Sequence, residues 1–317
     1  MAEAPQGDDD IFVYMGGNQQ VPMHIRRARI HKSVKIVRAW AFNNRRQLIS
    51  VEFHDGVEII EEYAFEGCWS LKSIKLLGIR IIKQGGFSGC SGLTDVEFGD
   101  NLETIEDGSF INCTGLKSIR IPSVRTIERS AFANCWELSD VEFGEELRTL
   151  QRQAFCNCPE LKRIALPLKD DMIENRVFEF CDKLTTVDLV GGIHQTVASL
   201  HLESWRNEMT GKINRINQTL PIASSGRNPD EIQRWMGTVI VCLDHYKAEH
   251  RVLLKEVTTL LELALWKANL VDSSGCEGER EGVRTTRGSR KRARKEICVT
   301  SGASIVIKNV LPFLVLK

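Results

Sequence analysis

The sequence has little of the features that mark several common protein classes. Its 317 residues include only 3 tyrosines, 8 prolines and 7 histidines, and 42 basic residues balance 42 acidic ones. A formal net charge of zero offers no overall field to attract nucleic acid or an anionic membrane, so such binding would require a local patch. The first ten residues contain consecutive aspartates and no apolar run, which predicts a cytoplasmic protein that is not secreted.

Long apolar runs and catalytic motifs are absent as well. The stretch from Ile305 to Leu316 is interrupted by Lys308, Asn309 and Pro312, and it is too short and too polar to span a bilayer. We find no glycine-rich phosphate loop, no nucleophile elbow and no glutamate-flanked histidine pair. The sequence therefore predicts no membrane insertion, no catalytic residues, no cofactor and no metal. A deep pocket with converging His, Cys and carboxylate groups would reverse the prediction about catalysis.

What recurs instead is a phenylalanine every 22 or 23 residues. The series is Phe42, Phe65, Phe87, Phe110, Phe132, Phe155 and Phe178. A repeat of this length is one supersecondary unit that cannot bury its apolar face alone, so consecutive units stack into a solenoid. The period predicts a stack of about seven coils over residues 30–192.

Each coil carries the same apolar pattern around its phenylalanine. Phe65, for example, is followed by Leu71, Ile74 and Leu76, at six, nine and eleven residues. Positions nine and eleven point inward around one outward residue, which is the alternation of a short strand with one buried face. An apolar residue five before the phenylalanine, such as Ile60, predicts the opposite wall of the coil.

A sharp corner is predicted two residues after the phenylalanine. Asparagine or glycine occupies this position in the first six coils, and these residue types adopt a left-handed backbone most readily. The last coil has Phe180 there, and the first coil has Arg45 where the others have cysteine. Divergent outer repeats are typical of solenoid ends.

The pattern Ala-Phe-x-x-Cys-x-x-Leu-x-x-Val-x-Phe, present in residues 131–143, resembles the BspA-like leucine-rich repeat of bacterial surface antigens. The resemblance covers about half of the chain. It implies an α+β protein, with a right-handed leucine-rich-repeat solenoid followed by a helical hairpin or coiled-coil segment. It also implies a binding module, and no catalytic residue carries over from it.

Six cysteines share one repeat position. They are Cys68, Cys90, Cys113, Cys135, Cys158 and Cys181. Stacking would place them about 4.8 Å apart, a separation that permits disulfides. In a chain without an export signal, however, we expect reduced thiols that behave as small apolar side chains. The Cys156-x-Cys158 pair has no neighbouring histidine to complete a zinc set.

The outward positions of the predicted strands alternate in charge. The candidate interaction residues are Glu52, Lys75, Glu97, Arg120 and Glu142, together with Lys72, Lys117 and Lys162, which follow the leucine in alternate coils. Opposite charges on neighbouring strands stabilise the register by about 0.2–1 kcal/mol per pair. Two interpretations stay open: a recognition surface for a protein partner, or a solvated face that satisfies its own charges. The second is favoured, because charge runs more often serve solubility than binding.

After Gly191-Gly192 the period stops, and apolar residues recur every three or four positions, which predicts a helical hairpin or coiled coil over residues 193–271. A heptad seam runs through Ile232, Met236, Val239, Leu243, Tyr246, His250, Leu253, Val257, Leu260 and Ala264. So long a seam needs a partner. The alternatives are an intramolecular hairpin with helix 193–220, which is favoured, and a homodimer through the helical segment.

The remaining segments complete the predicted organisation. Residues 1–29 are predicted to form a tail and a hairpin that caps the first coil, since a solenoid end must be covered. Residues 272–300 are predicted as a basic disordered linker, and residues 301–317 as a C-terminal apolar segment. A basic run forms a candidate localisation signal: Arg290, Lys291, Arg292, Arg294 and Lys295.

The leading functional prediction is a non-catalytic adaptor that binds an unidentified protein partner. The alternative is a nuclear regulatory factor that uses the basic run at 287–295 for import. Direct binding of nucleic acid is disfavoured, because no aromatic residues are interleaved with that run.

Overall fold

The computed structural model describes residues 11–200, 202–220 and 228–274, without the side chains of residues 228, 229, 264 and 267–274. The chain forms two compact units. The first comprises the residues up to Gln195 together with Thr210–Ile240, and the second comprises Thr196–Met209 and the chain from Val241 onward. The predicted linker over 272–300 and the apolar segment over 301–317 lie outside the described residues, apart from the end of the last helix.

The first unit contains a solenoid of parallel strands. The long strands are β1 (Ile11–Tyr14), β2 (Arg27–Ile30), β4 (Ser50–Glu52), β6 (Ser73–Leu76), β8 (Asp95–Phe98), β10 (Ser118–Ile121), β12 (Asp140–Phe143), β14 (Arg163–Pro167) and β15 (Thr186–Val190). The two-residue strands are β3 (Ile36–Val37), β5 (Ile59–Ile60), β7 (Ile81–Ile82), β9 (Thr104–Ile105), β11 (Thr126–Ile127) and β13 (Thr149–Leu150). The long strands form sheets in the orders β1-β2-β4-β6-β8 and β10-β12-β14-β15, and the short strands form a second wall in sequence order.

Stacked phenylalanine rings fill the interior of the coils. All seven predicted phenylalanines are fully buried, and successive ring centroids lie 4.8–6.1 Å apart. The leucines and β-branched residues that follow them are buried as predicted. Among the other predicted interior positions, Phe53 and Ile173 are only half-buried. The short strands contain the apolar residues predicted for the opposite wall.

The ladder cysteines are buried and unbridged, as predicted. Each thiol also donates a hydrogen bond to the carbonyl of the phenylalanine in the preceding coil, with Sγ···O distances of 3.0–3.4 Å. Burial raises the pKa of the Cys113 thiol to about 12. The Cys113 thiol is therefore held protonated, and the hydrogen bonds of the six ladder cysteines join adjacent coils.

The predicted corners have left-handed backbone in every coil. The φ angles two residues after the phenylalanines lie between 57° and 69°, and Phe180 adopts φ 60° in the last coil. A second set of left-handed residues lies two residues before the phenylalanines: Trp40, Tyr63, Gly85, Gly108, Ser130, Gln153 and Arg176. The sequence did not predict this second set, because no residue type is shared there.

The predicted N-terminal hairpin is wrong. β1 pairs in parallel with β2, and β2 pairs in parallel with β4, so the described part of the solenoid extends back to Ile11. The connection from Tyr14 to Arg27 is far longer than a hairpin turn and allows the chain to pass round a complete coil. Tyr14 is fully buried and lies 5.2 Å from the Phe42 ring, so it extends the aromatic stack into this added coil.

Helix α3 (Ile216–Thr219), which belongs to the first unit, contacts the last strand of the solenoid. The predicted helix over 193–220 consists of α1 (Ile193–Ala198), α2 (Glu203–Asn214) and α3 (Ile216–Thr219). Asn217 in α3 accepts a hydrogen bond from the backbone N–H of Val187 at 2.8 Å. The side-chain amide therefore satisfies a donor on the last strand, β15, that no further strand pairs within the described residues.

The long predicted helix is α4 (Asn228–Ser274), and it contacts α2. In the first unit, the indole N–H of Trp235 donates to the Lys212 carbonyl at 2.8 Å. In the second unit, the Tyr246 ring stacks on Trp205 with centroids 4.9 Å apart, and its hydroxyl donates to Glu208. These contacts are those of the intramolecular hairpin, which was the favoured alternative.

Candidate interaction surface

The outward side chains of the long strands form a charged face. Lys75, Glu97, Arg120 and Glu142 each lie between two buried residues of their strand, and Glu52 follows the buried Val51 at the end of β4. Parallel register places Lys75 directly beside Glu97, and Arg120 directly beside Glu142. The face is therefore built by one repeat position that recurs from coil to coil.

Most of the charge on this face is neutralised within it. Lys75 Nζ lies 2.6 Å from a Glu97 carboxylate oxygen, and Arg120 Nε lies 3.2 Å from Glu142. The hydrogen bond and charge of Glu97 raise the pKa of Lys75 above its ordinary value. Glu52 is bound by Arg29 of β2 at 2.6 Å. Side chains that are paired this closely offer little unpaired charge for binding a ligand.

The face also contains an ion-pair cluster that the sequence reasoning missed. Arg163 Nε lies 2.7 Å from Asp188, and its Nη1 lies 3.2 Å from Asp140. Arg163 and Asp140 occupy the outward position two residues before the one considered in the sequence. The period-2 alternation of the strands could have identified that position, since it also points to solvent.

The alternating order of charges is interrupted between β8 and β10. These strands belong to separate sheets, and an open groove lies there, lined by Glu97, Phe98, Arg120 and Pro122 among others. Proline at position 122 cannot donate the backbone hydrogen bond that Gly99 and Gly144 make at the same position in adjacent coils. Within the described residues, Glu97 and Arg120 form no ion pair across this groove.

Lys72, Lys117 and Lys162 lie in one column just ahead of strands β6, β10 and β14. Backbone hydrogen bonds of 2.7–3.4 Å join the column from coil to coil, and its members are Arg26, Ile49, Lys72, Thr94, Lys117, Ser139, Lys162 and Thr185. The bond from Lys117 N–H to the Thr94 carbonyl continues it across the groove between β8 and β10. We call the four basic residues Arg26, Lys72, Lys117 and Lys162 the cation column. Sequence reasoning missed Arg26, because its coil has no phenylalanine to set the register.

The cation column differs from the strand charges in its exposure and in its ion pairing. All four side chains are exposed, and within the described residues no ion pair involves them. The nearby carboxylates have closer partners: Glu160 binds Lys183 at 2.5 Å, and Asp140 binds Arg163. The pKa of Glu160 is lowered mainly by its hydrogen bond to Lys183, and the charges on Lys183 and Lys162 add to this. Unlike the charges on the strands, those of the column have no ion-pair partner among the described residues.

The residues between the cations are small and hydrogen-bonded to the protein. The Thr94 hydroxyl donates to the Lys72 carbonyl at 3.1 Å, and the Ser139 hydroxyl donates to the Lys117 carbonyl at 3.1 Å. Two half-exposed tryptophans, Trp69 and Trp136, each lie three residues before a member of the column. Arg46 covers one face of Trp69 at 4.0 Å, whereas no such cation lies over Trp136 in the described part of the chain.

Other predicted features give no further site. The candidate localisation residues Arg290, Lys291, Arg292, Arg294 and Lys295 lie outside the described residues. Among the residues that the structure describes, no group of three or more His, Cys, Asp or Glu side chains could hold a metal ion. No described helix combines the length and the apolar character needed to cross a bilayer.

Solved structures with a similar chain path include leucine-rich repeat proteins of bacteria. A T. pallidum leucine-rich repeat protein is 24% identical, with a TM-score of 0.41, over 61% of this chain and 83% of its own. A leucine-rich cell surface protein from Faecalibacterium prausnitzii is 20% identical, with a TM-score of 0.36, over 54% of this chain and 62% of its own. A leucine-rich repeat protein from Bacteroides ovatus is 22% identical, with a TM-score of 0.36, over 51% of this chain and 60% of its own.

Family comparison gives a match across most of the repeat region. No curated protein matches the sequence. A sequence model of the BspA type leucine rich repeat region, in six copies, matches residues 23–135 and 80–204, which together span more than half of the chain. These matched residues contain the stacked phenylalanines, the cysteine ladder and all four cations of the column. The repeat pattern, the solenoid and the family match together show that the chain belongs to the BspA type leucine-rich repeat family.

Proposed function

We propose that this chain is a non-catalytic adaptor that binds a protein partner through the cation column. Leucine-rich repeat proteins generally act in protein–protein interaction and are typically not enzymes, which supports the class of function. The observation that carries the proposal is the difference between the two sets of charges. The strand charges are paired within the protein, whereas no ion pair among the described residues involves Arg26, Lys72, Lys117 or Lys162.

The geometry of the column supports recognition of an extended partner. Its backbone is hydrogen-bonded from coil to coil, so the spacing of the cations is fixed by the solenoid. Exposed lysines alone contribute solubility. A fixed row of cations that forms no ion pair among the described residues additionally provides complementary charge, which increases association rate and specificity more than raw affinity.

The test is affinity capture with the full chain and two charge variants. In K72Q/K117Q/K162Q three charges of the column are removed, and in the control R129Q/R148Q/R152Q three exposed arginines elsewhere on the solenoid are removed. We expect proteins that are retained by the wild type and the control to be lost from the column variant, as measured by quantitative mass spectrometry. Equal retention by all three proteins would show that the column is not the binding surface.

A further inference from the structure

The spacing of the cation column restricts which acidic partners can contact all four of its side chains. Consecutive members belong to adjacent coils, and parallel strands lie about 4.8 Å apart. The cations occupy every second coil, so they recur at about 9.6 Å. A partner that contacts all four needs acidic groups on one side at the same interval.

Only one regular peptide conformation meets this requirement without drift. A polyproline II helix has three residues per turn and rises about 3.1 Å per residue, so every third side chain returns to the same face after about 9.3 Å. A β-strand covers about 10 Å in three residues but turns that side chain to the opposite face. An α-helix needs seven residues and about 10.5 Å, and its face drifts by about 20° with each seven.

We infer that the cation column binds an acidic segment in the polyproline II conformation, with a carboxylate at every third residue. This inference rests on the proposed function and specifies the partner of the same surface. Lys72, Lys117 and Lys162 each face one carboxylate, and Arg26 extends the row by one further position. The intervening Thr94 and Ser139 have small side chains whose hydroxyl groups are hydrogen-bonded to the solenoid. They therefore leave room for the backbone of the bound segment.

Trp136 supplies a second, independent contact. It belongs to the coil between those of Lys117 and Lys162, and its side chain is 54% exposed. Polyproline II segments characteristically dock their prolines against exposed aromatic rings. Proline-rich acidic segments therefore match both features of the surface, the spaced cations and the indole between them.

The experiment compares two labelled peptides of identical composition. One contains four Glu-Pro-Pro repeats, and the other contains four consecutive glutamates followed by eight prolines. Binding to the full chain is measured by fluorescence anisotropy at about 50 mM salt, where surface charges are weakly screened. We expect the repeated peptide to bind about tenfold more tightly, because the clustered acids reach at most two cations at once.

Variants and a polyanion control complete the test. We expect K72Q/K117Q/K162Q to remove the preference for the repeated peptide, R129Q/R148Q/R152Q to preserve it, and W136A to weaken binding more than W40A, whose tryptophan is equally exposed. Equal affinity for both peptides, or equal binding of an oligothymidylate, would overturn the inference in favour of a general anion surface. If a captured protein depends on the column but the repeated peptide does not bind, the proposed function stands and the polyproline II partner is wrong.

Discussion

The repeats and the long helix differ in how each buries its apolar residues. In the solenoid every coil covers its neighbour, so Phe65, Phe110 and Phe155 are equally buried. In α4 the predicted seam is buried from Ile232 to His250, but none of the residues from 251 to 266 whose side chains are described is buried, and Leu260 is 65% exposed. In a repeat protein, the apolar face of each coil is buried by the next coil of the same chain. A heptad seam must be buried by another helix, and the seam itself does not show which helix that is.

The largest effect is expected from truncating the aromatic stack. Phe110 is fully buried between Phe87 and Phe132, so F110A should lower the free energy of unfolding by about 3–5 kcal/mol. Phe180 is 57% exposed, and F180A should cost less than about 0.5 kcal/mol. Denaturant unfolding followed by circular dichroism measures both, and similar losses would contradict the observed stack.

Two valines on α4 compare the covered and uncovered parts of its seam. Val239 is fully buried, so V239D should destabilise the protein by at least about 3 kcal/mol, because it places a carboxylate in an apolar contact. Val257 is only half-buried, and V257D should cost less than about 1 kcal/mol in a monomer. Thermal unfolding of the two variants provides the comparison.

Light scattering of the same variants tests the homodimer, which is the less favoured of the two alternatives for the seam. If a second copy covers the seam around Leu253 and Val257, V257D should halve the mass of the wild-type protein while its helix content is kept. An unchanged mass would leave only the intramolecular contacts of α4 with α2. With either result, the described seam residues beyond His250 are not buried by their own chain, unlike the apolar residues of the repeats.

The sequence predicted the solenoid residue by residue because one signal recurred in each coil. The buried phenylalanines, the cysteine ladder and the left-handed corner at Asn112 all followed from that period. The second corner, at Gly108 in the same coil, could not be predicted. Its conformation is imposed by a backbone hydrogen bond to the Arg129 carbonyl of the next coil, so residues as different as Trp40 and Gly108 adopt it.

The candidate surface was predicted only in part. Lys72, Lys117 and Lys162 were identified by their spacing, but which charges are paired depends on side-chain reach between coils. The interruption between β8 and β10 separates Glu97 from Arg120, which the pattern had placed in one continuous ladder. The order of charges along the sequence therefore predicts which charged residues lie on adjacent strands. The local backbone geometry determines which of these residues form ion pairs.

A smaller effect is expected from the cysteine ladder. C113A removes a buried sulfur and its hydrogen bond to the Phe87 carbonyl at 3.2 Å, and it should cost about 1–2 kcal/mol. Cys156 is half-exposed, so C156A should have little effect. Thiol labelling of the native protein at neutral pH should likewise reach Cys156 before Cys113, and rapid reaction at Cys113 would contradict its inward position.

Alkaline pH should weaken the solenoid through the same thiol. Burial raises the pKa of Cys113 from an ordinary value of 9.0 to about 12, so the folded protein keeps a proton that the unfolded chain loses. The stabilisation is complete below about pH 9 and is lost as the pH rises toward 12, at up to about 1.4 kcal/mol per pH unit. C113A should therefore show a shallower decline than the wild type over this interval.

The smallest effects compare an ion pair between coils with one inside the helix. Arg163 binds Asp140 and Asp188 from neighbouring strands, whereas Arg234 binds Glu231 one turn earlier in α4 at 2.7 Å. R163M should cost about 1 kcal/mol and R234M about 0.3 kcal/mol, because Arg163 has two close partners and is the less exposed side chain. Both losses should shrink in high salt. Equal losses would mean that an ion pair between coils stabilises the protein no more than an ion pair on the surface of a helix. The solenoid would then fix the spacing of its backbone but not of its charged side chains, and recognition by the cation column depends on both.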